Sequence, residues 1–221
     1  MRGSPGKAGQ VMSAQERAGG DAPIDTSRPN IARVYDYWLG GKGNFAADRR
    51  AAEQVIAAMP DVLVGVRAQR LFLGRAVHYL AAGAGIRQFL DIGTGLPSAN
   101  NTHEVAQRAA PESRVVYVDN QDDPAAIVAR LLAAVPRGSY LAIAHTASDI
   151  TVAQTAEGVR RYNQQVTAPI RPRSYAEVCR FFAGLDLVEP GVVQLHRWRA
   201  GAGDLGTGRE LANYGGVGRK L

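Results

Sequence analysis

The most constraining stretch of the chain is Gln88-Phe-Leu-Asp-Ile92, a short apolar run that breaks directly into Gly93-Thr-Gly95-Leu-Pro97. A helical pattern follows, from Ser98 or Asn100 to Ala110. Arg114-Val-Val-Tyr-Val118 is then a strand rich in β-branched residues, closed by Asp119-Asn120. Asp122-Asp-Pro124 opens another helix, with Ile127, Leu131, Leu132 and Val135 on one face. Pro136-Arg-Gly138 turns the chain into Ser139–His145, again a strand of buried type. Strand, helix, strand, helix, strand implies parallel βαβ units with right-handed crossovers, hence an α/β fold. A helix over Ser174–Ala183 and short strands at Leu185–Val188 and Val192–Trp198 complete a mostly parallel sheet of about five strands, a count that rests on periodicity alone.

Ahead of this core the chain reads as helices. Asn30 can cap a helix whose apolar residues Ile31, Val34, Tyr35, Trp38 and Leu39 recur at helical spacing, and Gly40-Gly41 stops it. Ala46–Met59 follows, ended by Pro60, and Asp61 starts a third helix that continues to Ala82-Gly83. Residues 1–24 lack periodicity and read as a disordered tail. Residues 201–221 hold seven glycines and read as a flexible basic tail. The expected organisation is a tail (1–24), an N-terminal helical cap (25–85), a core (86–199) and a second tail (200–221).

Composition excludes several classes. The single Cys179 rules out an internal disulfide framework and a multi-cysteine zinc site, and it fits a reducing cytoplasm. No apolar h-region follows the N-terminal Met-Arg-Gly-Ser, and no run reaches the roughly 18 apolar residues of a membrane helix. The expectation is a cytoplasmic protein that meets no membrane. The net charge of +6 is spread along the chain apart from the end, so nothing focuses it for nucleic acid. The expected partner is a small-molecule substrate; the sequence does not specify an oligomeric state.

In an open parallel sheet, ligands sit beyond the carboxyl ends of the strands. Asp91, Gly93, Thr94 and Gly95 lie there after the first strand, and Asp119-Asn120 after the second. The glycines let backbone approach a ligand, and a carboxylate at position 119 can accept hydrogen bonds from two ribose hydroxyls. Dinucleotides and S-adenosylmethionine (SAM) both use this arrangement. The dinucleotide fingerprint asks for a third glycine where Ser98 stands, and Pro97 interrupts the helix start. Asp91 would repel a pyrophosphate but can pair with the ammonium of a methionine moiety, so charge favours SAM. A nicotinamide-dependent oxidoreductase rests on the same glycines against these objections. No residue stands out as a general base. His145 could serve, against the reading of a structural histidine, while Trp38, Trp198 and Cys179 read as core or interface.

These residues carry a resemblance. Asp25-Thr-Ser-Arg-Pro-Asn-Ile-Ala-Arg-Val-Tyr-Asp-Tyr-Trp-Leu-Gly-Gly-Lys42, Asn44-Phe-Ala-Ala-Asp-Arg49, Phe89–Pro97, Val116–Asn120, Asp122-Asp-Pro124 and Arg173–Val178 together resemble the actinobacterial-type S-adenosyl methyltransferases of unassigned substrate. The resemblance implies a class I Rossmann-like fold and SAM binding by Asp91, Gly93, Thr94, Gly95, Asp119 and Asn120. It also implies that Tyr37, Gly40, Gly41, Lys42 and Asn44 of the cap lie near the pocket. One departure stands out: in the family the second strand leads through a helix and two further strands before the Asp-Asp-Pro helix, whereas here Asn120 runs straight into Gln121-Asp122. The implied core lacks its third and fourth strands, and Ser139–His145 is the strand available to fill the gap. A derivative without catalytic activity, binding SAM, a nucleoside or a partner, is the alternative to an active enzyme.

Overall fold

The computed structural model describes residues 24–97, 100–118, 124–166, 169–201, 208 and 210–221. The expected tail 1–24 thus lies outside the described residues but for Ile24.

The cap forms as its sequence dictates. Helix α1 spans Ile31–Trp38, and the Asn30 side chain accepts the Ala32 N–H at 2.9 Å, answering one of the donors that a helix start leaves open. Gly40, at φ +80°, ends it. Helices α2 (Ala46–Ala58) and α3 (Val62–His78) follow, and a π turn at Tyr79–Gly83 closes α3. Asp48, fully buried, ties the first two helices together. Its carboxylate accepts the Asn30 N–H at 2.9 Å and the Phe45 N–H at 2.8 Å, and pairs with Arg33 Nε at 2.8 Å.

Strand β1 (Gln88–Ile92), helix α4 (Thr102–Ala109) and strand β2 (Arg114–Val118) make the expected parallel unit, with Asp91 opposite Tyr117 in register. Phe89 and Val115 on one face pack against Val77 of α3 and Val105 of α4. Helix α5 (Pro124–Ala134) leads to β3 (Tyr140–Thr146), then α6 (Val152–Asn163), α7 (Tyr175–Arg180), β4 (Leu185–Leu187), β5 (Val193–Gln194), a single 3-10 turn at Leu195–Arg197 and β6 (Asn213–Lys220).

The last element corrects the sequence reading. Residues 213–220 are no flexible tail but the middle strand of a sheet, antiparallel to β3 on one side and to β4 and β5 on the other. Its glycines reflect crowding. A Cβ built on Gly215 would lie 2.2 Å from Leu195 Cδ2, and one on Gly218 would lie 3.0 Å from Phe182 Cδ1. The neighbouring side chains occupy the space a larger residue would need.

The α/β, Rossmann-like character stands, but among the described residues β1·β2 is the one parallel strand pair, beside a single parallel bridge between Ala147 and Arg173, because the strand that completes the other half enters antiparallel. The β3 strand does not close the gap: among the described residues the strands fall into two sheets, β1·β2 and β3·β6·β4 with β5. Helix α3 joins them. Its Leu73 and Val77 belong to the cluster of α4 and β1, while Phe72 and Ala76 pack on Trp198 and Val217 of the second sheet's cluster. Trp198 is fully buried with Phe72 edge-on at 5.3 Å, and Trp38 is buried within the cap, so both tryptophans are core.

Candidate functional site

Gly93 and Gly95 turn the chain off β1 with φ of +75° and +60°, conformations that side-chain-bearing residues rarely adopt. The turn is pinned at its start, where the Gly93 N–H donates to Val118 O at 2.8 Å. At its far end Gly95 reaches the cap: a Cβ there would sit 3.5 Å from Ala32 Cβ of α1. Thr94 Oγ1 lies 3.5 Å from the Gly95 carbonyl. Asp91 Oδ2 accepts a 2.6 Å hydrogen bond from Thr102 Oγ1 at the start of α4, and its Oδ1 has no partner among the described residues.

The cap loop Gly40–Asn44 faces this turn. Sequence reasoning passed over the residue that builds it, Asp36. One oxygen of Asp36 accepts from the Gly43 N–H at 2.8 Å and from Asn44 Nδ2 at 2.9 Å, and Asn44 also donates to Gly41 O at 2.9 Å. Gly41 lies so close that a Cβ on it would fall 2.0 Å from Asp36 Oδ1. Position 41 is therefore glycine for steric reasons, and the loop is wrapped around a carboxylate. A signal existed in the chain, since an acid four residues before a Gly-Gly pair can fold back onto the backbone it leaves exposed.

Cap loop and turn together enclose a cavity of about 450 Å³, lined by Asp36, Leu39, Gly40, Gly41, Lys42, Gly43, Leu96 and Pro97. That size falls within the roughly 300–1,000 Å³ of small-molecule and cofactor sites. Gly40, Gly41 and Lys42 thus meet the end of the Gly93–Pro97 turn. Tyr37 does not line this cavity: its hydroxyl donates to Glu53 of α2, which raises its pKa from the ordinary value. Asp119 and Asn120 lie outside the described residues, directly after β2.

Two other residues raised by the sequence receive a structural account. His145 Nε2 accepts from Arg173 Nη1 at 2.5 Å, its Nδ1 lies 3.1 Å from Thr146 O, and its ring stacks on Phe181. Both nitrogens are engaged, which leaves no lone pair for base catalysis. Cys179 packs at the edge of the Val178, Phe181 and Phe182 cluster. Among the described residues no group of acidic, histidine or cysteine side chains could hold a metal ion, and no helix is long and apolar enough to cross a membrane.

A glycine turn after the first strand of a Rossmann-like α/β sheet, closed by a helical cap, defines a nucleotide-cofactor-binding class of protein. Comparison carries this further. The S-adenosyl methyltransferase family model matches residues 17–122 and 120–221, and the chain belongs to that family. The two matched pieces meet between β2 and α5. Two solved structures are similar. A DUF574 family protein from Streptomyces avermitilis MA-4680 shares 34% identity at a TM-score of 0.84, over 90% of this chain and 100% of its own. A protein from Thermobifida fusca YX, assigned provisionally to the methyltransferases, shares 30% at 0.78, over 89% of this chain and 96% of its own. No curated protein matches the chain.

Proposed function

We propose that the protein is a SAM-dependent methyltransferase acting on a small-molecule acceptor in the cytoplasm. The observation that carries the reading is a cavity lined by the cap loop Gly40–Gly43 and by Leu96 and Pro97, the two residues that directly follow the Gly93–Gly95 turn. The residues suit the cofactor. Positive-φ glycines allow close approach of its body, and Oδ1 of Asp91, which has no partner among the described residues, is an acceptor for its ammonium group. Asp119, which follows β2 in the sequence, is the acceptor for ribose hydroxyls.

SAM supplies an electrophilic methyl on a sulfonium, so no nucleophile or acid is required of the protein. The chain's own contribution is alignment and exclusion of water. The Asp36-braced loop forms the wall that shields the site on the cap side, and the turn at Gly95 sets the distance between cap and core. We assign no catalytic residue.

Calorimetric titration with SAM and with its demethylated product tests the reading. Saturable binding, weakened by Asp119→Ala and by Asp91→Asn, is expected; a cooperatively melting protein that binds neither compound overturns it. A second reading, a derivative that binds partner or nucleoside without methyl transfer, is favoured by the division of the strands into two sheets. A cooperative melt that SAM does not shift would support that reading over the first.

A further inference from the structure

Helix α4 directs the polar side chains of its first turn away from itself. Asn101, in the N-cap position, makes no side-chain hydrogen bond to the helix; its Oδ1 accepts instead from Arg70 Nη2 of α3 at 3.3 Å. The same guanidinium nitrogen donates to Asn100 O at 2.9 Å, and Glu104 Oε2 accepts the Asn100 N–H at 2.7 Å. His103 turns to β2: its N–H donates to the Tyr117 hydroxyl at 2.8 Å, and its Nδ1 lies 2.7 Å from that oxygen. The start of the helix is thereby fixed from the cap, from the preceding loop and from the neighbouring strand.

Thr102 stands in the middle of this arrangement and is 3% exposed. A threonine at a helix start commonly bonds the backbone beside it. Here the hydroxyl donates across to β1, to Asp91 Oδ2 at 2.6 Å, a length typical of a hydroxyl on a charged carboxylate. The bond occupies one oxygen of Asp91 and restricts rotation of the carboxylate, which leaves Oδ1 as the remaining acceptor. No cation pairs with Asp91 among the described residues.

We propose that Thr102 is a positioning residue for the cofactor's ammonium group: from a helix start fixed on three sides it holds the Asp91 carboxylate in one orientation, so that Oδ1 is preset as the acceptor. The inference rests on the reading of Asp91 as the partner of that ammonium. Its physical content is preorganisation. Without the hydroxyl, binding itself must order the Asp91 side chain, which weakens the complex about fivefold.

Calorimetric titration of Thr102→Val and Thr102→Ser into the comparison with the parent and Asp91→Asn tests the assignment. The probes are SAM, its demethylated product, and methylthioadenosine, which keeps the nucleoside and thioether but lacks the amino-acid arm. Thr102→Val preserves the shape and removes the donor; it should weaken SAM and the demethylated product about fivefold and leave methylthioadenosine within about twofold of the parent. Thr102→Ser keeps the donor and should bind all three as the parent does. On the Asp91→Asn background, Thr102→Val should add no further loss of SAM affinity. A merely structural Thr102 would weaken all three probes together in the valine variant, and that result overturns the proposal, as does an unchanged SAM affinity. The two readings fail differently. A cooperatively melting parent that binds no SAM removes the cofactor reading and this inference with it, whereas SAM binding that Asp91→Asn weakens and Thr102→Val does not removes the inference alone.

Discussion

Asp48 offers a severe test of how the cap is held. Its carboxylate is wholly buried, yet it serves three donors on two segments: the Asn30 N–H that begins α1, the Phe45 N–H that begins α2, and Arg33 Nε. Asp48→Ala removes all three acceptors at once. Breaking a buried ion pair by deleting one partner costs about 3–5 kcal/mol, and each orphaned buried N–H adds to the same penalty. Arg33 retains part of its support, since its Nη2 also donates to Asp25 O and Arg28 O at 3.1 and 2.7 Å. The lower part of the range, about 3–4 kcal/mol, is therefore expected, a large share of the roughly 5–15 kcal/mol that stabilises a whole domain. With a urea slope of about 2–3 kcal/mol per molar, the midpoint should fall by about 1–2 M at unchanged slope. A shift under about 0.3 M would refute the view that this carboxylate fastens the cap.

Three further outcomes follow from the geometry. Gly215→Val should lower stability by at least about 1–3 kcal/mol in urea titration, because even the first added carbon meets Leu195 Cδ2 at 2.2 Å; a flexible tail would show no change. Gly41→Ala should displace the loop from Asp36 and weaken SAM in calorimetry, whereas Gly40→Ala meets no atom within 4 Å and incurs only its positive φ. His196 is buried with neither ring nitrogen partnered among the described residues, and burial, then Arg197 and Arg75, holds its pKa below the ordinary value. The unfolded chain binds that proton first, so its contribution to stability is intact above about pH 6.5 and declines as the pH falls toward the folded pKa. Urea midpoints at pH 7.5 and 5.5 should differ less in His196→Leu than in the parent.

Much of this fold was legible from periodicity and capping residues. Asn30, the Gly40 stop, the β1–turn–α4–β2 unit and the buried tryptophans all followed from local pattern. The misses share a cause. Glycine in β6 was read as freedom, when at 215 and 218 it answers the pressure of Leu195 and Phe182 from distant segments. Helix α6 went unread because Thr151 begins it at φ +45° and Gly158 interrupts its pattern; Gly158 is there because Met59, at the end of α2, leaves 3.3 Å for a Cβ. Asp36 and Asp48 are ordinary acids in sequence, and only the return of the chain gives each its set of donors. Of the candidate site, the turn and the Gly40–Lys42 loop could be named in advance. Their convergence on one cavity required the fold.

The division of the strands also distributes stability unevenly. The β1·β2 pair has no further strand on either edge among the described residues, and one of its faces is open: Leu90 is 49% exposed and Val116 59%. Parallel strands are ordinarily covered on both faces, and two strands alone are marginal in water. What anchors the pair is its other face, where Phe89 and Val115 meet Val77 and Val105. The β3·β6 ladder, by contrast, runs seven residue pairs with β4 and β5 along the far edge of β6, packed against the α3 and α7 clusters. The candidate cofactor turn therefore hangs from the less stable half. Amide exchange should show β1 and β2 opening at lower free energy than β3 and β6, and equal protection of the two ladders would mean that the α3–α4 packing alone makes the molecule one cooperative unit.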